Sequence, residues 1–239
     1  MGELDTRSLS IVVPLLNERK ALAALIRHLS TTRADEIVLV DGGSNDGSVD
    51  WLRQQVLPNL PNCFLLETRS GRAWQMNVGA QAAQSDMLLF LHADTQLPNG
   101  AKAEICRARD KNYFWGRFDV SFNPASRIDL AMRVIGFFMN IRSRLSSIAT
   151  GDQALFVDRA LFLSVGGFEN ISLMEDVAFS KRMKQYGVPF CSALKVRTSA
   201  RRWQQGGVVR TVLLMWWLRL AYFCGMPADR LERWYRPAR

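Results

Sequence analysis

Apolar residues recur along this chain in two rhythms. The first is a short unbroken run bounded by polar residues, seen within residues 8–13, 36–40, 63–66 and 86–95. In the last of these, Met87, Leu88, Leu89, Phe90 and Leu91 lead straight into His92-Ala93-Asp94-Thr95. Such a run suits a strand buried on both faces, as in the middle of a parallel sheet. Its C-terminal end then brings a carboxylate to the sheet edge where open α/β folds bind ligands. Pro98 and the polar residues before it stand against a long helix there. Pro14 is expected to end the first strand, because proline cannot donate to a central ladder.

The second rhythm is helical. Leu22, Leu25, Ile26 and Leu29 share one face of a helix over residues 18–29, with Asn17 as its cap. The second strand stops at Asp41-Gly42-Gly43-Ser44-Asn45-Asp46-Gly47-Ser48, where Ser44 or Asp46 can cap a helix reaching residue 56. An alanine-rich helix over residues 73–83 turns Met76, Ala80 and Ala83 toward the sheet. Strands alternating with helices through residue 95 predict a parallel sheet with right-handed crossovers.

The later pattern is looser. It predicts a helix from Pro98 to about residue 109 and a strand over residues 114–122. An apolar helix follows over residues 128–141, with Arg127, Arg133 and Arg142 around it. After a turn at Gly151-Asp152 come a strand over residues 153–157, a loop at residues 166–168, a helix over residues 174–186 and a strand within residues 188–199. Residues 208–224 form a helix-length segment that is apolar around most of its circumference. Arg210 and Arg219 interrupt it, and the core between them is far too short to span a bilayer. It can pack on the domain, pair with a second copy, or lie at a membrane interface with its tryptophans at headgroup depth.

Composition narrows this picture. With 239 residues and 48% hydrophobic content the chain can build one large α/β domain or two small ones. The acidic start at residues 1–5 is not a signal peptide. Cys63, Cys106, Cys191 and Cys224 lie far apart, which excludes a CxxC pair and suits a reducing compartment. The formal charge of +9 is uneven: residues 1–120 carry a net −1 and residues 121–239 a net +10. A basic half suits a phosphorylated substrate or an anionic membrane, and no nucleic-acid module is present.

Carboxylates stand where strands end or loops begin: Asp41, Asp94 and the pair Glu175-Asp176. They can bind a sugar hydroxyl, hold a hard divalent cation, act as a base, or simply cap helices. His92 reads equally as a metal ligand or a packed ring. Arg69 and Arg72 beside Gly71, and Arg201, Arg202 and Trp203 from the other end, can hold phosphate or remain solvated.

Residues 10–18 (Ser-Ile-Val-Val-Pro-Leu-Leu-Asn-Glu), 40–48 (Val-Asp-Gly-Gly-Ser-Asn-Asp-Gly-Ser) and 91–95 (Leu-His-Ala-Asp-Thr) together resemble family 2 of the glycosyltransferases. Gly151-Asp152-Gln153 and Met174-Glu175-Asp176-Val177 extend the resemblance across residues 8–200, nearest to a small bacterial subgroup of uncharacterised transferases. It implies a GT-A fold, a three-layer α/β/α domain with a mostly parallel sheet. The donor half would span residues 8–97, the acceptor half residues 98–200, and a helical extension residues 201–239. It implies that Pro14, Leu15, Asn17 and Glu18 line a nucleotide pocket and that Asp41 reaches the base or ribose. Arg69, Gly71 and Arg72 would lie near the donor, with Ala93 and Asp94 beside it. The family's Asp-x-Asp motif falls on His92-Ala93-Asp94, so Asp94, with His92, is left to meet Mg²⁺ or Mn²⁺. Asp176, or else Glu175, would be the general base. Arg202-Trp203 completes half of the Gln-x-x-Arg-Trp motif of processive synthases, but Ser199 occupies the glutamine position.

The expected activity is therefore inverting, non-processive transfer from a nucleoside diphosphate sugar to an acceptor hydroxyl. The expected setting is the cytoplasm or the inner face of the membrane. The acceptor is unidentified, with a lipid-linked one among the options, and residues 208–224 would contact membrane or a second subunit. No nucleic-acid partner is expected. A sugar-phosphate nucleotidyltransferase would need a glycine-rich loop after the first strand, which Pro14-Leu15-Leu16-Asn17-Glu18 lacks. A dinucleotide enzyme would need GxGxxG there. A non-enzymatic, membrane-associated binding protein would explain the basic half but not the acidic sites.

Overall fold

The computed structural model describes residues 7–123 and 129–235, apart from the side chain of Arg202. Alternate residues of β1 (Leu9–Leu15) face two separate helical layers. Leu9, Ile11, Val13 and Leu15 pack with Leu22, Leu25 and Leu29 of α1 (Arg19–Leu29) and with Leu52 of α2 (Ser48–Gln55). Val12 packs the other way, with Val38 and Val40 of β2 (Glu36–Asp41) and with Ala73, Met76 and Ala80 of α3 (Arg72–Ala82). This two-sided burial is why the early strands read as unbroken apolar runs.

β3 (Cys63–Glu67) pairs with β2, and β4 (Met87–Phe90) with β1, all in parallel. α4 (Ala101–Asp110) joins the first layer through Ile105 and Ala108. Then follow β5 (Trp115–Phe122), α5 (Asp129–Ser146), β6 (Phe156–Asp158), α6 (Arg159–Ser164), α7 (Glu175–Met183) and β7 (Phe190–Thr198). The strand order is β3-β2-β1-β4-β6-β5-β7, with β6 antiparallel to both neighbours. Phe162 of α6, Phe168 and Phe179 of α7 fill the second layer. α8 (Arg201–Gly206), α9 (Val208–Phe223) and α10 (Ala228–Tyr235) close the chain. Leu218 and Leu231 of the last two pack on Leu173 and Met174.

Several expectations change. Pro14 lies inside β1, opposite Val40. Val12 uses its carbonyl toward the β4 side, and β4 ends opposite Val12, so the missing Pro14 N–H costs no ladder bond. Asn17 does not cap α1: its backbone is left-handed, at φ 56°. Asp46 does both capping jobs, Oδ2 accepting from the Arg19 N–H at 2.9 Å and Oδ1 from the Ser48 N–H at 3.1 Å. The strand expected from residue 153 begins at Phe156, because Gly151–Gln153 form a 3-10 turn closed by a Thr150–Gln153 capping box. β4, expected within a parallel run, instead borders the antiparallel β6. The apolar pattern predicts none of α6, α8 and α10, and α5 runs on to Ser146. Residues 1–5, Arg127, Ile128 and Arg236, and the side chain of Arg202, lie outside the described residues.

The three readings of the last apolar segment divide between its faces. Thr211 and Leu218 are buried on the domain, while Leu213, Trp216, Leu220 and Phe223 remain exposed. Among the described residues no helix is long and apolar enough to cross a membrane.

One carboxylate that starts two helices predicts a measurable loss. Hydrogen bonds from Ser48 and Arg19 outweigh desolvation and hold Asp46 below its ordinary pKa. Its contribution is therefore present above the ordinary aspartate range and is lost as pH falls through the depressed value. Asp46→Ala should cost roughly 1–2 kcal/mol in urea unfolding at neutral pH, as for a lost N-cap. That difference should shrink in acid.

Candidate active site

The loops after β1, β3 and β4 meet at the C-terminal edge of the parallel strands. They floor a groove with a cavity volume of about 1190 Å³. Pro14, Leu15, Leu16, Asn17 and Glu18 form one end, Arg69, Ser70, Gly71 and Arg72 the next, and His92, Ala93 and Asp94 the centre. Ten residues proposed from the sequence for the donor or metal site therefore line one cleft: Pro14, Leu15, Asn17, Glu18, Arg69, Gly71, Arg72, His92, Ala93 and Asp94.

Asp41 is not part of this lining and is only 1% exposed. Its Oδ2 accepts the N–H groups of Gly43 and Ser44, each at 2.8 Å, and its Oδ1 accepts the Ser44 hydroxyl. As placed, Asp41 shapes the loop from beneath. Gly42 leaves room for Gln75 at this turn: an added Cβ would stand 2.9 Å from the Gln75 amide and displace it. That amide donates to the carbonyls of Leu15 and Val40, at 2.7 and 2.8 Å, and so locks the ends of β1 and β2 together.

The adjoining loops are stitched to each other. The Asn17 N–H donates to Ser44 Oγ at 2.8 Å, and Asn17 Oδ1 accepts the Asn45 N–H at 2.9 Å. Arg69 stacks its guanidinium 4.0 Å from the centre of the Trp74 ring. The segment after β4 is tied to β7 by reciprocal backbone hydrogen bonds between Gln96 and Arg197 and by the Thr95 and Thr198 hydroxyls, 3.0 Å apart. Asp94 is thus carried on a strand end fixed at both sides. It makes no salt bridge among the described residues, and its Oδ1 lies 3.5 Å from the Thr95 hydroxyl.

The two candidate bases have different surroundings. Glu175 is buried and ion-paired to Arg72, with its second oxygen unsatisfied. Burial alone would lower the Arg72 pKa, but the charges of Glu175, Asp176 and Tyr235 outweigh it and raise it. Asp176 is half-buried, and its Oδ2 accepts the Gly151 N–H at 2.8 Å. Together with His92 and Gly151 it lines a small cavity adjoining the groove at His92. His92 Nδ1 stands 3.5 Å from Asp152 Oδ1. Its Nε2 would lie 2.5 Å from a Cβ on Gly151, so that position accepts only glycine without a shift of the ring.

Among the described residues no three His, Cys, Asp or Glu side chains converge as a complete metal cage. Asp94, which lines the groove together with Glu18, Asp152, Asp229 and Glu232, fits Mg²⁺ or Mn²⁺, which keep several waters and bridge one or two carboxylates to substrate phosphates. The far wall was not legible in the motifs. Asn170, Ile171, Ser172 and Leu173 contribute to it, with Thr198, Ser199, Trp203, Thr211, Met215, Asp229, Glu232 and Tyr235. Ser199 and Trp203 carried a partial signal as fragments of an incomplete motif, and the others carried none.

The model of glycosyl transferase family 2 matches residues 10–163. Among curated relatives, an undecaprenyl-phosphate 4-deoxy-4-formamido-L-arabinose transferase of Aeromonas hydrophila is 29% identical over 120 residues, covering 47% of this chain and 37% of that protein. Its namesake in Yersinia pestis is 30% identical over 116 residues, covering 45% and 35%. The chain thus matches about a third of the length of these relatives, and they carry a specific name in place of the expected uncharacterised subgroup. Among solved structures, the mannosyltransferase PcManGT from Pyrobaculum calidifontis in complex with GDP-Man and Mn²⁺ superposes with a TM-score of 0.63 at 16% identity, covering 85% of this chain and 62% of that one. S. aureus TarS 1–349 in complex with UDP-GlcNAc gives 0.60 at 18% identity, covering 80% and 58%. At these identities the likeness is one of fold.

The Arg72–Glu175 pair gives a second test. Arg72→Met leaves Glu175 buried without its counter-charge. It should cost about 2–3 kcal/mol in urea unfolding, less than the ~3–5 of a fully enclosed pair because Arg72 is partly open to water. The double variant Arg72→Met/Glu175→Gln should recover much of that loss. An equal or greater loss in the double variant would show that the pair does not hold this corner.

Proposed function

The chain belongs to glycosyl transferase family 2, and on that premise we propose that it is an inverting, non-processive transferase of GT-A architecture. It would move a sugar from a nucleoside diphosphate donor to an acceptor oxygen. The carrying observation is the convergence of three separate sequence segments, after β1, β3 and β4, on one groove with Asp94 at its centre. Residues 8–97 would serve the donor and residues 98–200 the acceptor. The extension after residue 200 supplies part of the groove wall.

Each group has a physical task. Pro14, Leu15, Asn17 and Glu18 receive the nucleotide, above the loop that Asp41 shapes. Arg69 and Arg72, flanking Gly71, bring positive charge toward the diphosphate. Asp94, with His92 beside it, would hold Mg²⁺ or Mn²⁺ with water and phosphate oxygens completing the shell. When bound, that ion neutralises charge building on the leaving diphosphate. Asp176 is the general base for an acceptor hydroxyl, since Glu175 is committed to Arg72. The Gly151 N–H holds one Asp176 oxygen in place, which favours alignment.

The acceptor is read as lipid-linked and the protein as peripheral on the cytoplasmic face of the membrane. Two observations support this: the relatives' names specify undecaprenyl phosphate, and α9 exposes Trp216 and Phe223. A homodimer through the same face is the second reading of that surface. A non-enzymatic binding protein would leave the Asp94 and Asp176 settings without purpose.

Calorimetry with UDP, GDP, CDP and dTDP, each with Mn²⁺ and with EDTA, should show metal-dependent binding of one nucleotide, abolished by Asp94→Asn. No binding to any of them would favour the non-enzymatic reading. Asp176→Asn should reduce transfer about 10²–10⁴-fold while leaving nucleotide binding nearly intact. An equal loss of binding would remove Asp176 from the role of base.

A further inference from the structure

Two arginines outside the motif segments feel the charge of Asp176. Arg142 on α5 has Nε and Nη2 buried with no hydrogen-bond acceptor, and it forms no salt bridge among the described residues. Arg219 lies on α9, where its charge is met by those of Asp176 and Asp152. Both side chains are half-buried. Burial and the neighbouring Arg219 charge lower the Arg142 pKa to about 10, Asp176 opposes them, and Arg117 adds to the lowering. Desolvation also lowers Arg219, against the pull of Asp176 and Asp152. Asp176 is one carboxylate felt by three cations, Arg72, Arg142 and Arg219, and it already accepts the Gly151 N–H, while Arg72 has Glu175 as its own partner. A buried donor left unpaired costs about 1–3 kcal/mol. This corner therefore holds buried guanidinium donors that no acceptor uses.

The helices that hold these arginines say what kind of anion fits. Phe138, Arg142 and Leu145 follow one another on the same face of α5, and Phe138 and Leu145 are 62% and 83% exposed. Trp216, Arg219 and Phe223 repeat the arrangement on α9, where Trp216 and Phe223 are 70% and 77% exposed. Each guanidinium thus stands within a row of exposed apolar side chains. A free inorganic anion would use the charges and leave the apolar rows uncovered. A phosphate carried on a hydrocarbon chain would use both.

We propose that Arg142 and Arg219 form a receiving site for the phosphate group of a lipid-borne acceptor, with the apolar rows of α5 and α9 against its chain. This rests on the transferase reading and deepens it: the phosphate anchors the lipid at Arg142 and Arg219, and the acceptor hydroxyl is left to Asp176. Guanidinium suits this task because its fork of N–H donors matches phosphate oxygens in pairs.

The test uses the full chain and co-sedimentation with phosphatidylcholine vesicles doped with a long-chain isoprenyl phosphate or with the matching isoprenol. The protein should prefer the phosphate-bearing vesicles by about tenfold. Arg142→Gln and Arg219→Gln should each remove most of that preference, keep nucleotide binding in calorimetry, and melt no lower than the parent protein. Absence of any preference in the parent protein overturns the proposal, as does a preference that survives both substitutions. Loss of nucleotide binding in the two variants would assign the arginines to the donor diphosphate and also overturn it. Equal capture by phosphatidylglycerol vesicles would mean a general headgroup contact and not an acceptor site. If the parent protein binds no nucleotide but still prefers the phosphate vesicles, the transferase reading fails while this site stands.

Discussion

Parallel pairing is the constraint on which this molecule depends. β3, β2, β1 and β4 run in one direction, so their C-terminal ends arrive at one edge. Residues placed just after β1, β3 and β4 then look into the same space, while the loop after β2 supports them from beneath. That is how segments near residues 14–18, 69–72 and 92–94 come to line one groove. The antiparallel β6 couples this unit to β5 and β7, and the Gln96–Arg197 bridge fastens the β4 end to the last strand.

Charge inside the second half is organised differently from charge in the groove. Arg117 is fully buried in β5 and is neutralised by Asp119, which also takes both terminal nitrogens of Arg144 at 2.8 Å. Asn140 completes the corner by clasping the Val120 N–H and carbonyl. Here two cations share one fully engaged carboxylate within a framework of backbone hydrogen bonds, and the group ties α5 to the sheet. A buried charge of this kind is tolerated because its partners are in place before water leaves. Arg117 keeps one unpaired nitrogen, Nε, but its charge is met by Asp119 in a salt bridge, which Arg142 on α5 lacks among the described residues.

How far sequence reaches depends on how local the cause is. β1 to β4 were legible because burial on both faces leaves a continuous apolar run, and the groove loops because several residues in each act together. Pro14 was misjudged because its tolerance depends on where β4 stops, which is set by another segment. Asn17 was misjudged as a cap because the true acceptor, Asp46, comes from the next loop. Asp41 was legible as a residue of the donor region, but its burial under the loop was not. α6 and α10 are short, and their apolar residues are few. The far wall of the groove has no motif because its residues come from several elements, each meeting the cleft at one or two positions.

The stitching between the loops after β1 and β2 has a consequence for how a ligand is met. Asn17, Ser44, Asn45, Asp46 and Arg19 are tied across both loops by their own hydrogen bonds. Their conformational entropy is surrendered when the chain folds, so little remains to be lost at encounter. The opposite wall rests on a small cluster of Leu173, Met174, Leu218 and Leu231, far less than the layers around the sheet. Local opening costs least where buried apolar contacts are fewest. The cleft thus has one preset jaw and one yielding jaw, and any closing movement over a bound ligand would be carried by the C-terminal helices.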